Sequence, residues 1–173
     1  MAETIALQVS EDVVTRRERA KRYLKQYGAI QCWMMKLEQK YHNLDSQRFR
    51  WNQIYESCGG GSSEKKDLAE IIAGFDALMA DALWRQEKLR DFQEEIEATV
   101  AHVQVYHPNA ASALREKYFV IGQASDWKAI APDLRYAEST VKLHHVQGLD
   151  LVADVLEERN YDLELYSFLF AKP

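Results

Sequence analysis

The sequence contains few of the residues that interrupt helices. Among its 173 residues are three prolines and seven glycines, and three of the glycines are consecutive. Because proline and glycine supply most of the turns between short strands, their scarcity argues against a β-rich fold. Hydrophobic residues make up 47% of the chain, which suffices for a buried core. We therefore expect an all-α protein.

The chain also lacks a long apolar run. No segment approaches the roughly 18 apolar residues that a membrane-spanning helix needs. The N-terminal MAETIALQVSEDVV has no basic region ahead of an apolar stretch, as a signal peptide would have. We expect a cytoplasmic protein without a membrane partner.

Motifs for catalysis and metal binding are missing from the sequence. It contains no glycine-rich phosphate loop, no HExxH and no GxSxG. Cys32 and Cys58 stand apart without CxxC spacing, so we expect two free thiols. His102 and His107 are five residues apart, which is a poor spacing for two ligands on one helical face. We expect no metal, no cofactor and no enzymatic activity.

Positive charge is scarce overall but concentrated near the N-terminus. The net charge of −5 argues against a general polyanion binder. Residues 15–25 nevertheless contain a basic cluster, made of Arg16, Arg17, Arg19, Lys21, Arg22 and Lys25. One interpretation is a solvated helix face with pairs such as Glu18 and Arg22. The other is a surface that contacts phosphates or an acidic protein partner.

Two long helices are expected in the N-terminal part of the chain. Apolar residues spaced near 3.6 positions predict a helix over 11–57 with one break. The segment CGGGSS at 58–63 is expected to be a linker, because consecutive glycines destabilise a helix. Ser63 is the expected N-cap of the next helix, which we place at 64–106.

The second long helix carries a heptad repeat. Six apolar residues recur every seven positions: Leu68, Phe75, Ala82, Leu89, Ile96 and Val103. The interleaved positions include Gln86 and Gln93, whose amides need partners if they are buried. The repeat predicts a coiled-coil-like helix that packs on the first helix as a helical hairpin, or on a second copy as a homodimer. We expect this hairpin domain to span 1–107.

The segment 113–156 follows the order of a helix-turn-helix. Pro108 disfavours helix at the preceding residue, so a new module begins there. A scaffold helix is expected to end near Gly122, and Ser125 to cap a short helix that leads through a turn into a longer one. The residues expected to face the shared core are Leu114, Tyr118, Phe119, Trp127, Ile130, Ala131, Val141, Leu149 and Val152. Leu134 and Tyr136 are expected to fill the turn.

This module is expected to form a second domain over 108–160. The remaining residues, 161–173, form an aromatic-rich tail. The tail either packs on the helices or offers an apolar docking patch to a partner.

The C-terminal residues resemble a known family. Phage late-gene transcription activators of the ArpU/RinA kind, related to region four of bacterial sigma factors, carry a similar pattern. The residues in step with it are Lys117, Tyr118, Gly122, Trp127, Ile130, Ala131, Leu134, Tyr136, Thr140, Val141 and His144. AKRYLKQY at 20–27 and SSEKKDLAEII at 62–72 are similar too. The resemblance covers nearly the whole length. It implies a cytoplasmic regulator, encoded by a phage or prophage, that binds double-stranded DNA and touches host RNA polymerase.

The candidate DNA-binding residues lie in the turn and the helix after it. They are Arg135, Ser139, Thr140, Lys142 and His145, with the basic cluster as a secondary source of phosphate contacts. The chain departs from the family pattern here, since Arg135 replaces the usual turn glycine and Ala137 the usual capping serine. Glu138, near the helix start, has the wrong sign for a neighbouring phosphate.

A second hypothesis belongs to another class of function. A neutral reading helix between acidic segments is compatible with a phage inhibitor that docks on a basic surface of a host protein. Such a target would be RNA polymerase or a defence nuclease such as a CRISPR effector, and the DNA reader would be degenerate. The contact would be made by acidic residues of the second long helix, namely Asp91, Glu94 and Glu95.

Overall fold

The computed structural model describes the backbone of residues 2–57, 62–120 and 126–170, and the side chains of 13–57, 67–120 and 126–170. Throughout these residues the regular structure is helical, without a strand, as the composition predicted. The helices are α1 (Ala2–Ser57), α2 (Ser62–Tyr106), α3 (Pro108–Tyr118), α4 (Trp127–Asp133) and α5 (Glu138–Glu158), followed by a short 3-10 helix at Ser167–Phe170.

The long helices differ from the expectation in one respect. α1 runs without the predicted break, and α2 matches the predicted 64–106 to within two residues. The only helix breaker inside the described part of α1 is Gly28, and a single glycine costs a helix only about 1 kcal/mol. The linker residues 58–61 and the side chain of Ser63 lie outside the described residues.

The chain divides by its contacts into two units. The terminal unit consists of Met1–Ile30 and Phe92–Pro173, and the middle unit of Gln31–Asp91. α1 and α2 each contribute one part to each unit. The domain boundary predicted at residue 107 follows chain order and stays a prediction.

In the terminal unit, α1 and α2 pack against each other in antiparallel directions. The buried face of α1 carries Ala20, Tyr23, Leu24 and Tyr27, and that of α2 carries Phe92, Ile96, Val100 and Val103. The Oη atoms of Tyr23 and Tyr27 form hydrogen bonds of 3.1 Å to Thr99 Oγ1 and 2.8 Å to Glu97 Oε1, respectively. Gln93, a heptad position, donates to Glu97 at 2.9 Å, so its amide has the required partner.

In the middle unit, the heptad positions also face inward. Ala82 and Leu89 are buried, as is Leu37 on α1. An ion pair of 2.5 Å joins Arg48 to Asp76 and so connects the two helices there. The homodimer predicted from the heptads stays a prediction.

The three short helices of the terminal unit share a small core. α5 packs mainly against α3 and also against α4. Ala113, Ile130, Ala131 and Val141 are buried together, with Trp127 and Leu134 packed against them. Asp126 caps α4 by accepting a hydrogen bond from the Lys128 backbone N–H. The expected end residue Gly122 and the expected cap Ser125 lie outside the described residues.

The tail packs on the helices, which was one of the two interpretations of its sequence. Tyr161 is buried and meets the ring of Tyr23 edge-on at 5.1 Å between centroids. Tyr166 stacks on Phe92 at 4.1 Å, and Leu169 is buried.

None of the described helices is long and apolar enough to cross a bilayer.

α3 and α5 cross closely at Gly148. A Cβ atom there would lie 2.9 Å from Cγ and Cδ1 of Leu114 and 3.3 Å from the Ala110 carbonyl oxygen. Leu114 is fully buried and has little room to move. A side chain at position 148 would therefore push the two helices apart.

We expect Gly148→Ala to lower the free energy of unfolding by about 1–3 kcal/mol through overpacking. Gly28→Ala is the matched control, because no atom lies within 4 Å of its added Cβ. It should raise stability by up to about 1 kcal/mol through helix propensity. Urea denaturation of both variants measures the difference. Equal effects in the two variants would contradict the close crossing.

Candidate functional site

The turn between α4 and α5 ends α4 with hydrogen bonds to the last carbonyl groups of the helix. The backbone N–H of Arg135 donates to the Pro132 carbonyl at 3.0 Å, and that of Tyr136 to the Ala131 carbonyl at 3.2 Å. These two bonds define a Schellman motif, which requires a left-handed residue after the helix. Arg135 is that residue, with φ of 58°. It occupies a position that favours glycine.

α5 presents a polar N-terminal half beyond this turn. Ala137 is its N-cap and supplies no side-chain hydrogen bond. Ser139 and Lys142 are exposed and Thr140 is half-buried. The Lys142 ammonium is 2.5 Å from the Glu138 carboxylate, so the single cation in this part of the helix already has an anionic partner.

His145 does not lie with these residues. Its side chain is buried, and its Nε2 is 3.0 Å from the Tyr118 Oη. The imidazole also meets the Trp127 ring edge-on, with centroids 4.7 Å apart. The structure therefore brings Arg135, Ser139, Thr140 and Lys142 onto the turn and the first turns of α5, and places His145 inside.

The basic cluster pairs with carboxylates from the other end of the chain. Arg16 lies 2.5 Å from both Asp154 and Glu157. Arg17 forms two hydrogen bonds, of 2.6 and 2.8 Å, with the Asp150 carboxylate.

The rest of the cluster has mixed partners. Arg19 donates to the Tyr161 carbonyl, and Arg22 lies 3.4 Å from Glu164. Lys21 pairs with Glu18 at 2.5 Å, instead of the Glu18–Arg22 pair expected from spacing. Most of the cluster thus joins α1 to α5 and the tail, which the sequence alone did not indicate.

The acidic residues proposed for docking have different surroundings. In the middle unit, Asp91 pairs with Lys88 at 2.9 Å. In the terminal unit, Glu94 is exposed, whereas Glu95 is half-buried and accepts a hydrogen bond from Tyr166 at 3.4 Å. Glu95 therefore faces the tail of its own chain.

A cleft of about 680 Å³ opens beside α5 in the terminal unit. α1, α3 and α5 supply five cationic side chains and one carboxylate to its lining: Arg17, Lys21, Lys25, Lys117, Lys142 and Glu18. Its apolar and aromatic lining includes Tyr118, Trp127, Val146 and Leu149. Spacing along α1 and α5 explains the convergence, because residues at i, i+3, i+4 and i+7 share one helix face.

The cleft has an excess of positive charge. Burial lowers the pKa of Lys117, an effect that Asp126 opposes and Lys25 reinforces. The Lys117 ammonium lies 4.3 Å from the centre of the Trp127 ring, in a cation–π contact. Burial likewise lowers the pKa of His145 to about 4, with Lys117 and Lys21 adding to the effect. His145 is therefore neutral near pH 7.

Lys117 was not among the residues expected to bind a ligand, whereas Lys25 belongs to the basic cluster. Arg17, Lys21 and Lys25 recur every four residues, so the sequence could have shown that they share a face of α1. Lys117 is 92 positions further along the chain, and no local pattern connects it to them. Among the described residues, no group of three His, Cys, Asp or Glu side chains could hold a metal ion.

Comparisons of the chain with protein families, with curated proteins and with solved structures find no match.

The neutral, buried state of His145 predicts acid sensitivity. An unfolded histidine takes up its proton near pH 6.5, but His145 in the folded chain does so only near pH 4. The contribution of neutral His145 to the free energy of unfolding is therefore fully present above pH 6.5. It is lost as the pH falls from 6.5 to 4, by up to about 3 kcal/mol.

Denaturant unfolding across pH 7 to 4 measures this loss, and His145→Gln is the control that removes the titrating group. The variant should lose less stability than the natural chain over this interval. Parallel pH profiles for the two proteins would show that His145 titrates normally.

Proposed function

We propose that this chain is a phage- or prophage-encoded transcription regulator of the host bacterial cytoplasm. It binds double-stranded DNA through α4, the turn and α5, which form its helix-turn-helix. The observation that carries the proposal is the tight Schellman turn at Arg135, which joins a short helix to the exposed polar half of a longer one over a shared apolar core. The family resemblance supports the same function.

In this proposal, the N-terminal half of α5 enters the major groove. Ser139, Thr140 and Lys142 face base edges or phosphates, and Arg135 in the turn contacts the phosphate backbone of the DNA. The family resemblance suggests host RNA polymerase as a second partner. The heptad repeat of α2 suggests that the chain forms a homodimer. The basic cluster contributes little, because Arg16 and Arg17 already pair with carboxylates of α5.

The ion pair of Lys142 with Glu138 sets the strength of binding. Lys142 must leave Glu138 to reach a phosphate, and the carboxylate then repels the duplex. This arrangement predicts weak general affinity. It also predicts that the two partners of one ion pair have opposite effects on DNA binding.

We expect Glu138→Gln to tighten duplex binding and Lys142→Gln to weaken it, each by about three- to tenfold at low salt. Lys142→Gln should also reduce the slope of log affinity against log salt by about one. Glu158→Gln is the matched control, since this exposed carboxylate stands at the far end of α5. Fluorescence anisotropy with a labelled duplex, across a salt series, measures all three variants.

Selection from a random duplex pool tests whether sequence is read. Enrichment of one motif, lost in Lys142→Gln, supports the regulator. Salt-independent binding without enrichment contradicts it. If biological activity is then lost only when the charges of Asp91, Glu94 and Glu95 are reversed, the result favours the second hypothesis, an inhibitor that docks on a host protein.

A further inference from the structure

We propose that the chain forms an antiparallel homodimer through a face of α2 that lies beside its heptad residues. The heptad residues themselves are used within the chain, since Ala82 and Leu89 are buried. A second copy therefore has to bind another face of the helix. The inference rests on the homodimer included in the proposed function and does not require the helix-turn-helix to bind DNA.

The proposed face, which we call the outer stripe, consists of residues that each precede a heptad residue by one position. They recur at alternating spacings of four and three, as the heptad residues do, so they share one side of the helix. At 1.5 Å per residue the stripe is about 30 Å long. Its members are Asp67, Ile71, Gly74, Leu78, Asp81, Arg85 and Lys88.

α2 is apolar around its whole circumference over most of the outer stripe. Between residues 68 and 84, 13 of the 17 side chains are hydrophobic. A helix of this composition is normally covered on more than one side. Ile71 and Leu78 are nevertheless 40% and 46% exposed. The outer stripe is therefore the side of α2 on which a further helix would bury the most apolar surface.

Gly74 lies between these two apolar residues and leaves room for a helix that approaches closely. A Cβ atom added there would have none of the described atoms within 4 Å. Glycine destabilises a helix relative to alanine, and no contact among the described residues requires its small size at this position. A second copy that crosses α2 beside Gly74 supplies such a contact, as α3 does at Gly148.

The charges along α2 favour a second copy in the antiparallel direction. Residues 67–81 carry four carboxylates without a Lys or Arg, whereas residues 85–90 carry three Lys or Arg and one Glu. Two of the four carboxylates already have partners within the chain, which leaves Asp67 and Glu70. A parallel copy would place these acids beside each other, but an antiparallel copy places them near the basic end. The surface is thus complementary to itself, as a twofold interface requires.

The outer stripe fits its own copy when the two helices cross at Leu78. Leu78 then meets the partner's Leu78 on the twofold axis, and Asp67 lies opposite the partner's Lys88. Lys88 already pairs with Asp91 at 2.9 Å. Because an ammonium has three N–H groups, it can bind a second carboxylate without leaving the first.

Sedimentation equilibrium of the full chain without DNA tests the interface. We expect the mass to rise with concentration toward twice that of one chain. Leu78→Lys places two like charges on the twofold axis and should weaken the dimer at least about tenfold. Leu83→Lys is the matched control and should leave the dimer unchanged. Leu83 is 49% exposed but lies about 140° from Leu78 around the helix axis.

Cysteine cross-linking tests the antiparallel direction, with Cys32 and Cys58 both replaced by serine. Leu78→Cys should form a disulfide-linked dimer under mild oxidation, because a residue on the twofold axis meets its own counterpart. Ile71→Cys should stay unlinked, since its two copies would lie about 20 Å apart, too far for a disulfide.

Four results would overturn the proposal. A chain that stays monomeric, or a dimer that Leu78→Lys leaves intact, would exclude the outer stripe. Equal weakening by Leu78→Lys and Leu83→Lys would indicate nonspecific association, and disulfides at both tested positions would indicate a parallel dimer. Lys142→Gln should not change the mass, so loss of the dimer and loss of DNA binding are separate results.

Discussion

The surface charge of the terminal unit depends on the pairing of arginines near the start of the chain with carboxylates near its end. α5 carries Asp150, Asp154 and Glu157 within two turns, and these charges would repel one another and any nucleic acid. Arg16 and Arg17 pair with all three carboxylates and leave a net charge of −1 in place of −3. Half-exposed pairs of this kind contribute little stability each, so their main effect is on the charge of the surface.

The stability of the same junction comes from the apolar contacts beside it. Tyr23 is fully buried where α1, α2 and the tail meet, and its hydroxyl bonds to Thr99. Tyr161 and Phe92 surround its ring, at 5.1 and 6.3 Å between centroids. α1 also carries Arg17, Lys21 and Lys25, which lie on a neighbouring face of the helix and line the cationic cleft. The same helix therefore contributes to the core and to the cleft.

Elements with a local pattern could be predicted from the sequence. The glycine linker and Pro108 predicted the limits of α2 to within two residues, and Pro108 predicted the start of α3. Contacts between distant residues could not be predicted. The partners of Arg16 and Arg17 lie more than 130 positions away, and the burial of His145 depends on Tyr118 and Trp127 from two other helices. Gly148 resembles any helical glycine until the position of α3 is known.

We propose that Arg16 and Arg17 stay with the carboxylates of their own chain, whereas Lys142 exchanges its partner Glu138 for an external anion. Side-chain NMR of the arginine Nε–H and lysine Nζ groups, with increasing amounts of short duplex DNA, tests it directly. We expect the Lys142 signal to move while those of Arg16 and Arg17 stay in place. Movement of the two arginine signals, with Lys142 unchanged, would contradict it.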